Sequence, residues 1–188
     1  MTSERSVGNP LSEISMEIVG MLAMEARDVP YKLGLDGDVK KLTKENLGNC
    51  ARKCYWLIPR LRELRCKMAL GLAEFNWNDL PIPREIVRLL KDPTDTHMFL
   101  YVDYGKGEKV LDIAWDPGMP SGFPINSWGK DGGEMKIGVP ATRIHRVDYK
   151  LFHTRAMVFS SIVAVRDALT LRKSPTPFTD AFNAWLGR

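Results

Sequence analysis

The stretch LGNCARKCYWLIPRLRELRC, residues 47–66, contains all three cysteines of the 188-residue chain. Within it Cys54, Leu57, Ile58, Leu61 and Leu64 recur at spacings of three and four, with charged residues on the opposite side. That is the pattern of an amphipathic helix starting near Cys50, and Asn49 just ahead of it is a residue type that caps helices. Pro59 falls inside the periodic run. A proline there removes a backbone hydrogen bond and costs about 3 kcal/mol unless the helix bends, so a kink is expected.

Working outward, residues 12–27 place Ile14, Ile18, Met21 and Leu22 at helical spacing behind Ser12 as the expected N-cap. The polar, turn-rich stretch 28–46 then leads into Leu47. Downstream, the apolar run 66–75 reads as a strand leaving the helix, and 83–91 as a short helix with proline at its start. MFLYV (98–102) and KVLDIAW (109–115) flank the Gly-bearing segment 103–108, which predicts a hairpin. Residues 117–133 are too rich in Pro and Gly for regular structure and read as a long surface loop. A strand is expected at 135–139, a third long helix at 152–173, and a final turn or two of helix at 178–186. Helices at the two ends and strands in the middle predict an α+β class, and the length suits one domain over 1–188.

Composition narrows the function classes. At 44% hydrophobic and 27% charged, this is the make-up of a globular protein and not of a disordered or fibrous one. No apolar run approaches the ~20 residues a membrane span needs, so a soluble, cytoplasmic protein is expected. The formal charge is +4, but nine Lys/Arg between Lys40 and Lys67 face only Glu45 and Glu63. These charges interleave with the apolar stripe as a solvated helix face does, which disfavours a nucleic-acid footprint. An odd number of cysteines cannot pair completely and suits a reducing compartment.

The thiols admit three readings. A metal site would want closer ligand spacing than Cys50-x3-Cys54-x11-Cys66, and would need His97, His145 or His153 to complete it. Cys54 in the apolar stripe and Cys66 at a strand start are ordinary homes for buried thiols. Cys50 differs: at a helix N-terminus, with Arg52 and Lys53 close by, it sits where a thiolate is stabilised. A thiolate nucleophile needs a histidine to move protons, and the histidine needs an acceptor to orient it. His97 opens the hairpin, and with the turn centred on 104–106 its cross-strand neighbours fall at 112–114. Asp112 is an acid within an otherwise apolar strand, costly to bury without a partner. Placing His97 with Phe99 and Tyr101, and Asp112 with Val110 and Ala114, respects strand alternation.

With these residues in place the chain resembles the transglutaminase-like cysteine enzymes, a branch of the papain-like superfamily, over about 47–117. Gly48-Asn49-Cys50 stands where that family opens a helix with Gly-x-Cys. Leu61-Arg62-Glu63-Leu64-Arg65 stands at the distance of its Leu-Arg-Ala-Leu-Gly, and His97 begins a strand with Asp112 fifteen residues later. Arylamine N-acetyltransferases share the layout, and Thr96-His97 and Leu111-Asp112 are similar to their motifs. Three features depart from the family pattern, the first being Pro59 inside the helix that Cys50 opens. Met98 follows His97 where the family often has an aromatic, and the Asp-Pro pair is Asp116-Pro117, which makes Asp116 a rival acid.

The resemblance implies a nucleophile helix packed on an antiparallel sheet, and a Cys50, His97, Asp112 triad without metal or cofactor. Cys50 would attack a peptide or amide carbonyl, with its backbone N–H and an upstream donor, for which Tyr31 is the suggestion, holding the oxyanion. The thioester would pass to water, as in a peptidase or deamidase, or to a small amine. Hydrolysis is slightly favoured, because Trp56 lies obliquely around the helix from Cys50 and supplies a poor water-excluding wall. Phe123 and Trp128 in the Pro/Gly loop are the expected contacts to a protein or peptide substrate. The rival is a noncatalytic binding module on the same fold, with nucleic acid on the basic helix as its ligand.

Overall fold

The computed structural model describes residues 10–35, 38–105, 107–129, 133, 135–148 and 176–188. Its elements are α1 (Pro10–Asp28), α2 (Lys40–Glu45), α3 (Cys50–Glu63), β1 (Lys67–Asn76), a 3-10 turn (Trp77–Asp79), α4 (Arg84–Val87), β2 (Thr94–Asp103), β3 (Glu108–Leu111), β4 (Arg143–Asp148) and α5 (Pro177–Trp185). The strands form one antiparallel sheet in the order β3-β2-β1-β4, so the chain is α+β.

Helix α3 begins and ends by local chemistry. The Asn49 side chain accepts from Arg52 N–H at 2.8 Å while Asn49 itself stays extended, as an N-cap should. Pro59 lies on the exposed face and the helix runs through it to Glu63. At the far end Arg65 takes a left-handed conformation (φ 58°), Arg65 N–H donates to the Arg62 carbonyl and Cys66 N–H to that of Leu61. This Schellman arrangement satisfies the last carbonyls and turns the chain directly into β1. Arg65 occupies the position that usually takes glycine.

Two apolar clusters flank this frame. One joins Val19 and Ala23 of α1 to Leu57 and Leu61 of α3 and to Leu70 and Leu100 of the sheet. The other is aromatic and holds Tyr31, Phe75, Trp77, Phe99, Trp115 and Phe182, with half-buried Cys50 packed against it. Cys54 and Cys66 belong to the first cluster, so α3 has its N-terminus at the second cluster and its body in the first.

Several expectations need correction. Helix α1 starts at Pro10, so Ser12 lies in its first turn and is not its cap. The helix expected over 83–91 spans only Arg84–Val87, followed by turns. Strand β3 stops at Leu111 and does not reach Trp115, because the chain leaves the sheet where Asp112 turns inward. No strand forms at 135–139; there Met135 N–H makes a backbone bond to Val110, and the strand lies at β4 instead. Within 28–46, read as turns, α2 forms over buried Leu42. The helix expected at 152–173 lies outside the described residues. Among the described residues no helix is long and apolar enough to cross a membrane.

Candidate active site

His97 opens the buried part of β2, opposite Ala73 of β1. Its Nε2 lies 2.7 Å from Asp112 Oδ2, and the two side chains are 3% and 1% exposed. The same Asp112 oxygen accepts from Gly138 N–H at 2.7 Å, and Oδ1 accepts from Ala114 N–H at 3.2 Å. A buried carboxylate thus meets three donors, which offsets the cost of taking it out of water. Cys50 lies close enough to the His97 ring for its side chain to bear on the ring's charge. Burial works against the charged ring. The charge of Asp112 and its hydrogen bond, followed by the contribution of Cys50, outweigh it and raise the His97 pKa to about 10. An imidazolium between a carboxylate and a thiol is the charge partner a thiolate needs.

The walls are aromatic. Trp115 stacks parallel to His97 (centroids 6.2 Å, 11°), held by its Nε1–H donating to the Gly138 carbonyl at 2.6 Å. Phe75 meets His97 edge-on at 6.5 Å, and Tyr31 packs on Trp115 at 4.6 Å. Asn126 pins the returning loop by donating to the carbonyls of Asp112 and Lys136.

Tyr31 is fixed beside the start of α3 by backbone pairing: Lys32 N–H donates to the Gly48 carbonyl and Gly48 N–H to that of Pro30. Tyr31 N–H is already used by Asp116 Oδ2 at 2.7 Å, which leaves the hydroxyl as the remaining donor of Tyr31. Burial, then the charges of Cys50, Asp95 and Asp112, push its pKa well above the usual tyrosine value and keep that hydroxyl protonated.

Asp116, the rival acid, faces elsewhere. Its carboxylate accepts from both Arg188 guanidinium nitrogens (2.7 and 2.8 Å), from Tyr31 N–H and from Gly118 N–H. Burial opposes the charged form, but Arg188 and these N–H donors hold the carboxyl below its usual range. It joins the chain end to the Tyr31 segment.

The structure brings Cys50, His97 and Asp112 together. It does not bring Phe123 or Trp128 to them as surface contacts. Phe123 is 7% exposed, packed behind Trp115 and beside Trp185. Trp128 packs with Tyr104 at the far end of β2 and over Gly20 of α1. Trp56 is buried in the first cluster under the Arg60 guanidinium. Cys54 and Cys66 are buried, and burial raises both thiols' pKa values. Among the described residues no group of three or more His, Cys, Asp or Glu could hold a metal ion. Sequence reading missed Phe75 and the Gly138 donor to Asp112; Gly138 offers only a lone glycine as a signal. No family model, curated protein or solved structure matches the chain.

Proposed function

We propose that this chain is a transglutaminase-like cysteine enzyme that acts on peptide or amide bonds through a thioester. What supports the reading is the approach of both Cys50 and Asp112 to one buried ring, that of His97, with Asp112 at 2.7 Å. The Cys50 thiolate adds to the carbonyl carbon, and the oxyanion is met by the Cys50 N–H at the helix start and the Tyr31 hydroxyl. His97 gives its proton to the departing amine as the C–N bond breaks, leaving a thioester and a neutral imidazole. Water then attacks the thioester while His97 takes its proton, releasing the acid and restoring the thiol pair. Asp112 keeps Nε2 protonated throughout and so leaves Nδ1 for the transfers. The helix carrying the nucleophile against an antiparallel sheet agrees with a papain-like arrangement.

Transfer to an amine is the second reading. It is favoured by the enclosure of His97 by Trp115, Phe75 and Tyr31, which restricts water at the thioester. The experiment is a peptide panel with and without labelled cadaverine, following acid release and amine incorporation, with Cys50→Ala as the blank. Acid release above the blank supports hydrolysis, and incorporation outrunning it supports transfer. Neither product across the panel overturns the enzyme reading in favour of a binding module.

A further inference from the structure

Lys53 lies one turn after Cys50 on α3 and is 0% exposed. Its Nζ donates to two backbone carbonyls, Arg27 at 2.8 Å and Ala114 at 2.9 Å. Neither carbonyl carries a formal charge, so among the described residues a wholly buried ammonium is held without a direct ion pair, an arrangement that is costly unless nearby anions offset it. The chain also makes room for it. A Cβ on Gly48 would meet Leu42 Cδ1 at 2.6 Å, Lys53 Cγ at 3.0 Å and Cε at 3.3 Å, so the glycine two residues before Cys50 makes room for Leu42 and for the lysine stem together.

The charged groups around Lys53 account for its presence. Asp112 and Asp116 lie in the 112–118 segment that it touches, Arg188 reaches in from the chain end, and Cys50 lies on its own helix. Of the other charges on the packed elements, Arg27 pairs with Asp28 and Arg52 with Glu45. Two aspartates, Arg188 and Lys53 sum to zero, and they still do when Cys50 and His97 form a thiolate and imidazolium. Without Lys53, the same buried group carries one net negative charge, which opposes a further anion at Cys50.

We infer that Lys53 is a positioning residue for the Cys50 thiolate: a buried counter-charge that also clamps the Ala114 carbonyl, and with it the Asp112 turn, to the nucleophile helix. This rests on the reading of Cys50 as the nucleophile. Burial lowers the Lys53 pKa to about 7, although Asp116 opposes the shift, Arg188 adds to it, and Cys50 and Asp112 oppose it. The counter-charge is therefore lost just above neutrality, and thiolate-dependent chemistry should weaken there.

Coupling between two sites is reciprocal, so the thiolate must hold the proton on Lys53 as Lys53 holds the thiolate. The test titrates the Lys53 side-chain carbon by NMR in lysine-labelled full-length protein, the signal assigned by its loss in Lys53→Met. Capping Cys50 with neutral iodoacetamide removes its charge, and the Lys53 midpoint is expected to fall by about one unit or more. An unchanged midpoint, or titration near the free-lysine value before capping, overturns the inference. As a second measurement, folded Lys53→Met should be alkylated at Cys50 about tenfold more slowly at pH 6, with Lys53→Arg restoring part of the rate. An unaltered rate in folded Lys53→Met also overturns it. If Lys53→Met fails to fold, the capping titration decides, with the signal assigned through Lys53→Arg. Peptide turnover with no coupling sinks this inference alone, whereas coupling without turnover sinks the proposed function alone.

Discussion

His97 Nε2 and Asp112 Oδ2 meet at 2.7 Å although Asp112 stands one residue beyond the last paired position of β3, Leu111. The hairpin brings the acid to the right end of β2, and the break in the strand aims it. Asp112→Asn keeps the shape but removes the charge that holds the ring protonated. Cys50 alkylation near pH 6 and any amide turnover are expected to fall by about 10²–10⁴-fold, as for loss of an acid–base partner. Pseudo-first-order alkylation rates on the folded variant check this.

Asp116→Asn should do the opposite. It weakens the buried Arg188 contact, with a stability loss of about 3 kcal/mol, while Cys50 in the folded protein keeps most of its alkylation rate. Urea unfolding and alkylation of the same sample separate the two effects.

Tyr31→Phe removes only the hydroxyl and leaves the backbone bond to Asp116 intact. Amide turnover is expected to drop by about 10²–10³-fold, the loss typical of one oxyanion donor. Alkylation, which forms no oxyanion, should change little. A parallel loss in both assays would assign Tyr31 to thiol activation instead.

Much of this was legible in the sequence. The helix from Cys50 was readable because its apolar stripe and Asn49 cap are local signals, and the hairpin because a Gly-bearing turn separates two apolar runs. Asp112 was readable because an acid in an apolar strand needs a partner. The bonds that Asp116 makes with Tyr31 and Arg188 were not, since they span 85 and 72 residues and no periodicity encodes such pairs. Lys53 looked like part of a solvated charged face, yet its Nζ bonds the Ala114 carbonyl 61 residues away. The burial of Phe123 was not readable either: in a Pro/Gly loop its ring is a large apolar surface, and the loop folds back over it, while Trp128 stays partly buried beside Tyr104.

Between pH 7 and 10 two buried groups move stability in opposite directions. The His97 pKa is raised to about 10, so its contribution is full below the unfolded value near 6.5 and is lost as pH rises through 10. The Lys53 pKa is lowered to about 7, so the unfolded chain binds the extra proton above that pH and stability rises with pH. Urea unfolding across this range should decline more steeply in Lys53→Met than in the unaltered chain, and less steeply in His97→Gln.

Arg65 holds φ 58° at the end of α3, where a side chain is strained. Arg65→Gly should stabilise the fold by about 1 kcal/mol, read as a higher urea midpoint at unchanged slope.

The central claim is that Cys50 is a thiolate held by His97. Alkylation of the native chain from pH 5 to 9, with mass mapping of the labelled thiols, tests it most directly. Label is expected on Cys50 well before Cys54 and Cys66, persisting at pH 6 and losing its low-pH limb in His97→Ala. No native labelling, with all three cysteines reacting equally only after unfolding, would contradict it.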